Sequence, residues 1–225
     1  MKKFFLTLTL ITSFLMPALA DKISTDKSDF AEISSVIDDA VYDIRYYSPN
    51  NFTASKINGY KAPRAYMTKK ALAALKIAAD DLRKQGYRLL IWDSYRPQKA
   101  VDNFVKWIND PSDPGDKTFY PKLEKSNLLE GNYIMAKSGH TRGSTIDLTI
   151  IKKDGAFVDM GGTFDLFSEV SHPDYKKITK KQKKNRKILK EAMEKAGFKG
   201  IDSEWWHFTL KDEPYPDTYF NFDVE

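Results

Sequence analysis

Residues 144–150, STIDLTI, constrain the fold more than any other stretch, because Ile146, Leu148 and Ile150 alternate there with Thr145, Asp147 and Thr149. A period of two sends the apolar trio to one face of a β-strand and the polar trio to the other. Such a strand needs neighbours for its backbone and a layer to cover its apolar face. It also turns Asp147 away from that layer, which raises the question of what the carboxylate meets.

The remaining elements follow from periodicity. From Thr68 onward Leu72, Leu75, Ala79 and Leu82 recur at helical spacing until Gly86, a residue suited to a helix C-terminal cap. YRLLIWD, 87–93, reads as a strand. After it Pro97 fits a first helical position, and Val101, Phe104 and Ile108 make a stripe on a helix ending near Asp110. The loop 109–121 carries three prolines and a glycine and is long enough to serve as a lid. Thr179 and Gln182 form a capping-box pattern ahead of the stripe Leu189, Ala192, Met193 and Ala196, which stops at Gly197. EWWHFTL, 204–210, and TYFNFDV, 218–224, read as the last strands, with hairpin-like ends. No repeat or linker interrupts this series, so the expectation is a single α+β domain with a mainly antiparallel central sheet flanked by helices.

The first twenty residues place Lys2 and Lys3 before an apolar run and end in Ala18-Leu19-Ala20. That is the pattern of a secretory signal peptide, 1–20, cleaved before Asp21, and the run is short of the ~20 residues needed to span a bilayer. The expected mature domain is 21–225, periplasmic or secreted, without stable membrane insertion after cleavage. Removing two lysines takes Lys+Arg from 36 to 34 against 31 acidic residues, so the net charge falls from +5 to +3. So small an excess gives no support for nucleic-acid binding. The nine Lys and Arg residues of 176–190 are expected on the solvated face of an amphipathic helix rather than on a polyanion-binding surface. The chain contains no cysteine, so it has neither disulfides nor a thiol for lipid attachment, and any metal must be held by nitrogen and oxygen ligands.

Only three histidines are present, His140, His172 and His207. His140 lies in a polar, turn-like stretch seven residues before Asp147, and His207 lies three after Glu204. Two imidazoles and a carboxylate with a fourth position for water make a recurrent catalytic zinc set, and a further carboxylate such as Glu204 would move the water's proton. Residue type alone also fits a structural role, with Asp147 capping a turn and His140 satisfied in a core. In a regular strand Glu204 and His207 would point to opposite faces, so their convergence requires a bulge or twist. Arg96, at a strand end and helix mouth, fits a carboxylate or oxyanion, or an ion pair with Asp93. Asp165, after Gly161 and Gly162, fits a substrate ammonium or a plain turn.

The stretches RYYSPNNFT (45–53), GYRLLIWDSYRPQKAV (86–101), SGHTRGSTIDLT (138–149), MGGTFD (160–165), EWWHF (204–208) and DEPYPDTYF (212–220) together resemble the zinc D-alanyl-D-alanine dipeptidase family in type, order and spacing. The resemblance implies one zinc per chain, on the sheet, held by His140, Asp147 and His207, with Glu204 as catalytic acid/base. It implies Arg96 at the substrate carbonyl or carboxylate and the oxyanion, and Tyr46, Ser138 and Asp165 at the free amino end of a small dipeptide. His172 matches no zinc position. The competing expectations are a zinc D,D-carboxypeptidase or murein endopeptidase with the same ligands, and a catalytically dead wall- or polyanion-binding module. The sequence carries no signal for oligomeric state.

Overall fold

A computed structural model describes residues 22–130 and 133–225; the expected signal peptide lies outside them. The strands are β1 (Lys22–Ser24), β2 (Phe30–Glu32), β3 (Val41–Tyr42), β4 (Tyr66–Thr68), β5 (Tyr87–Asp93), β6 (Thr145–Lys152), β7 (Phe198–Gly200), β8 (His207–Leu210) and β9 (Thr218–Phe220). The helices are α1 (Lys69–Lys84), α2 (Gln98–Ile108), α3 (Asn127–Glu130) and α4 (Lys180–Lys195). The five-stranded sheet runs β3-β5-β6-β8-β7, with β3 parallel to β5 and the other pairings antiparallel.

Strand β6 lies at the centre of this sheet and is buried along both faces: Ile146, Leu148 and Ile150 are fully enclosed, and so are Thr145, Asp147 and Thr149. The alternation therefore marks not a wet face and a dry one but an apolar layer and a polar, enclosed one. Helix α1 packs on β5 and against α4, which packs on β7. Thr68 caps α1 by accepting from the Ala71 amide, and Gly86 follows the helix at φ 85°. The capping box of Thr179 and Gln182 is formed in full.

Pro97 stands one position earlier than expected, as the N-cap of α2, because its ψ of 148° is extended. The first turn of α2 is completed from a distant part of the chain, by Asn221 accepting from the Lys99 amide. Of EWWHFTL only the last four residues are strand; Glu204, Trp205 and Trp206 precede it in a loop and turn. TYFNFDV does not form a hairpin with it. Its strand part, β9, runs parallel to β1 in a separate two-stranded sheet. The short strand β7, which carried too little pattern to be read, supplies the edge beside β8.

The loop 109–121 lies largely at the surface, as expected, and none of its residues lines the cavity described below. Phe119 and Tyr120 are buried, Tyr120 donates to the Pro114 carbonyl, and the Lys125 ammonium sits 4.2 Å over the Trp107 ring. Among the described residues no helix is long and apolar enough to cross a membrane.

Candidate metal centre and its cavity

His140 is set by a 3-10 turn, Gly139–Arg142, whose N-cap Ser138 accepts from the His140 amide. The turn is closed by Gly143 at φ 78°, a left-handed conformation that favours glycine. A Cβ there would also lie 2.3 Å from the Phe30 ring. Gly143→Ala is therefore expected to cost about 2–5 kcal/mol through backbone strain and overpacking. Denaturant unfolding reads this directly, and a loss below ~0.5 kcal/mol would show that the turn tolerates a side chain.

From this turn the chain enters β6, where Asp147 pairs in register with His207 of β8. Three side chains converge there: His140 Nε2 lies 3.2 Å from His207 Nδ1 and 3.2 Å from Asp147 Oδ2, and His207 Nδ1 lies 3.0 Å from Asp147 Oδ1. Asp147 Oδ1 is buried and makes no well-aligned hydrogen bond; what it faces is the His207 Nδ1 at 3.0 Å. Ligand atoms held tetrahedrally at about 2.0–2.1 Å from zinc stand roughly 3.3 Å apart, close to the 3.2 Å between the two imidazole nitrogens. The His140 Nδ1–H donates to the Ser94 carbonyl at 2.7 Å, which leaves the Nε2 lone pair directed at the cluster. Nitrogen and carboxylate donors in this geometry fit a divalent cation such as zinc.

The two imidazoles differ electrostatically: burial works against a charged His207, but the Asp147 carboxylate overrides it and holds that ring above its ordinary value. Burial holds the His140 imidazole below its ordinary value, in the neutral form that ligates. Burial opposes ionisation of Asp147, but the two imidazoles override it and keep the carboxyl below the usual range. Glu204 Oε2 lies 3.6 Å from His207 Nδ1. Burial pushes the Glu204 carboxyl up to about 7, against the pull of His207. The loop and turn ahead of β8 remove the conflict that a continuous strand posed, because Glu204 no longer obeys strand alternation.

The cluster lines a cavity of about 200 Å³ together with Tyr46, Arg96, Ser138, Asp165 and Glu204. Arg96 is gripped by Asp93, with Nε and Nη2 each 2.8 Å from Oδ2, and its guanidinium lies 4.9 Å over the Tyr46 ring. The ion pair with Asp93 and a place in the cavity thus hold together. Asp93 also accepts from Tyr60 at 2.6 Å and stands 3.5 Å from His140 Nδ1, so one buried carboxylate fixes an arginine and lies beside an imidazole of the candidate metal centre. In the sequence it was visible only as a possible partner of Arg96.

Asp165 accepts from the Tyr46 hydroxyl at 2.8 Å and is in no ion pair among the described residues. Burial, reinforced by Asp147, lifts its carboxyl well above the usual range. Not only Gly161 but Asp165 itself takes a positive φ, of 55°. His172 does not line the cavity, and its carbonyl serves Arg186. The cavity edge comes from Tyr133, Ile134, Met135 and Ile201, which no sequence pattern marked.

A buried cation site beside a carboxyl poised near neutrality and a fixed guanidinium defines a metal-dependent hydrolase. The chain belongs to the D-ala-D-ala dipeptidase family of peptidases, whose profile matches residues 26–225. It is 41% identical over 200 residues to a D-alanyl-D-alanine dipeptidase of Enterococcus faecalis, covering 88% of this chain and 99% of that one. It is 39% identical over 198 residues to a protein of the same name from Streptomyces coelicolor, covering 87% and 98%. A solved structure of a vancomycin-resistance D,D-pentapeptidase, VanY, with Zn(II) aligns at TM-score 0.40 and 11% identity, covering 67% of this chain and 76% of that one.

Proposed function

We propose that the protein is a zinc dipeptidase that hydrolyses D-alanyl-D-alanine to two D-alanines outside the inner membrane, in wall turnover or D-alanine scavenging. One observation carries the reading. A cavity of about 200 Å³ holds the His140-Asp147-His207 cluster, Glu204, and two further ionisable groups of opposite sign, Arg96 and Asp165. That volume lies below the roughly 300–1,000 Å³ of sites for drug-sized ligands and suits a very short peptide.

One zinc per chain, held by His140, Asp147 and His207, would polarise the scissile carbonyl and lower the pKa of the attacking water. Glu204 takes the water's proton and returns it to the departing amine. Arg96, held by Asp93 through Nε and Nη2, lines the cavity, where its guanidinium would meet the developing oxyanion or the substrate carboxylate. Asp165 and Tyr46, with Ser138 nearby, receive the free amino end, whose positive charge favours the ionised carboxyl that burial alone disfavours. A longer peptide would set an uncharged amide against Asp165 and leave buried polar groups unpaired.

The test is turnover of the zinc-loaded protein on D-Ala-D-Ala, L-Ala-L-Ala and a D-Ala-D-Ala-terminated pentapeptide. D-Ala-D-Ala is expected to exceed the pentapeptide in kcat/KM by about a hundredfold or more. Equal or faster pentapeptide cleavage would sink the dipeptidase reading in favour of a D,D-carboxypeptidase or murein endopeptidase. No bound metal and no turnover would leave a wall-binding module. Export rests on the pattern of residues 1–20, and mature protein recovered from the cytoplasm would contradict it.

A further inference from the structure

The lysine-rich helix α4 carries one cation that is not on its solvated face. Arg186 is 6% exposed, and its guanidinium meets three backbone carbonyls. Nε donates to Met160 at 2.6 Å, Nη1 to His172 at 2.9 Å and Nη2 to Val170 at 2.8 Å. The first acceptor opens the segment 160–172 and the other two close it, so one side chain ties the two ends of a loop. Asp165 sits inside that loop at φ 55°, a strained state for a non-glycine residue that persists only where the surroundings over-determine it.

The same clasp reaches the other side of the cavity. The guanidinium lies 5.5 Å over the Trp205 ring, and the Trp205 amide donates to the Ser171 carbonyl at 2.9 Å, next to Glu204. Asn185, beside Arg186 on α4, donates to the Asp159 carbonyl at 2.7 Å and extends the grip by one residue. No residue of α4 lines the cavity, so any effect of Arg186 on the substrate must pass through this loop and turn.

We propose that Arg186 is a positioning residue that holds Asp165 in its strained conformation, and so sets recognition of the substrate's free amino end, by closing the neck of the loop 160–172. The inference rests on the reading above in which Asp165 receives that amino group. The planar guanidinium directs its N–H groups along fixed lines to three separated acceptors. A lysine ammonium at the same place is a single point and cannot span them.

The experiment compares kcat/KM for D-Ala-D-Ala and for N-acetyl-D-Ala-D-Ala in the zinc-loaded parent, Arg186→Gln, Arg186→Lys and Asp165→Ala, with metal content and melting temperature recorded. The parent is expected to prefer the free amine strongly. Arg186→Gln should lower that preference about tenfold or more, chiefly through KM for D-Ala-D-Ala, at unchanged metal content, since displacements of ~1 Å carry costs of this order. Arg186→Lys keeps the charge and most of the volume, and serves if the glutamine variant does not fold. It should show the same loss in smaller measure. A preference that survives in every folded Arg186 variant, whatever their melting temperatures, while Asp165→Ala abolishes it, overturns the inference and spares the reading of Asp165. A preference unchanged in Asp165→Ala overturns both.

Discussion

Glu204→Gln is expected to lower kcat about a thousandfold while leaving bound zinc at the level of the parent protein. General acid–base catalysis contributes roughly 10²–10⁴-fold, and the glutamine amide can neither take the water's proton nor return one to the amine. Glu204 is not among the three residues of the candidate metal centre, so metal retention separates loss of proton transfer from loss of the site. Turnover within tenfold of the parent would remove Glu204 from the mechanism.

The pH dependence gives a second signature of the same group. Base catalysis needs the carboxylate, so kcat/KM should rise with pH through an acid limb. Its midpoint lies at or below about 7, the value burial imposes, because a bound cation favours the ionised form. Glu204→Gln should lose that limb. Stability runs the opposite way. The folded carboxyl titrates near 7 against 4.5 for the free group, so the stability that this proton linkage supplies at low pH is lost as pH rises through 7. In the metal-free protein above pH 7, Glu204→Gln should therefore melt higher than the parent.

The second large effect is expected at Asp147. Asp147→Asn keeps the side-chain shape but removes the negative charge that faces two imidazoles at 3.0 and 3.2 Å. Loss of a group behind a metal ligand costs about 10–100-fold in affinity or activity, and loss of a ligand itself should exceed this. The variant should be purified without zinc and without measurable turnover. In the parent, zinc at about a hundred times its Kd should add roughly 2.7 kcal/mol of stability, and this increment should vanish in the variant. His172→Ala is the control, since His172 stands apart from the cluster, and it should keep both metal and turnover. An Asp147→Asn protein with full metal content would place the cation elsewhere.

The parts of the molecule that were legible in sequence are those governed by local periodicity. The apolar stripe and caps of α1, the capping box of α4 and the alternation of β6 each depend on neighbours a few residues apart, and the chain shows them directly. For elements held by distant partners, the sequence showed the element but not what it pairs with, or showed nothing. The extended Pro97 begins a helix whose first turn is satisfied by Asn221, β9 pairs with β1 at the other end of the domain, and β7 is three residues long. Arg186 was assigned to a solvated run because its acceptors are backbone carbonyls, which leave no trace in residue type.

The same division runs through the candidate site. The sequence alone determined its chemical inventory: no thiol, three imidazoles, an aspartate turned to the polar face of β6, and a glutamate three residues before a histidine. What only the tertiary structure decided is convergence. The β6–β8 register sets Asp147 opposite His207, the turn closed by Gly143 carries His140 to the same point, and the turn ahead of β8 frees Glu204 from strand alternation. Periodicity encodes which face a side chain takes, whereas the meeting of atoms 67 residues apart depends on how strands pair and turns close, and those are properties of the whole packed chain.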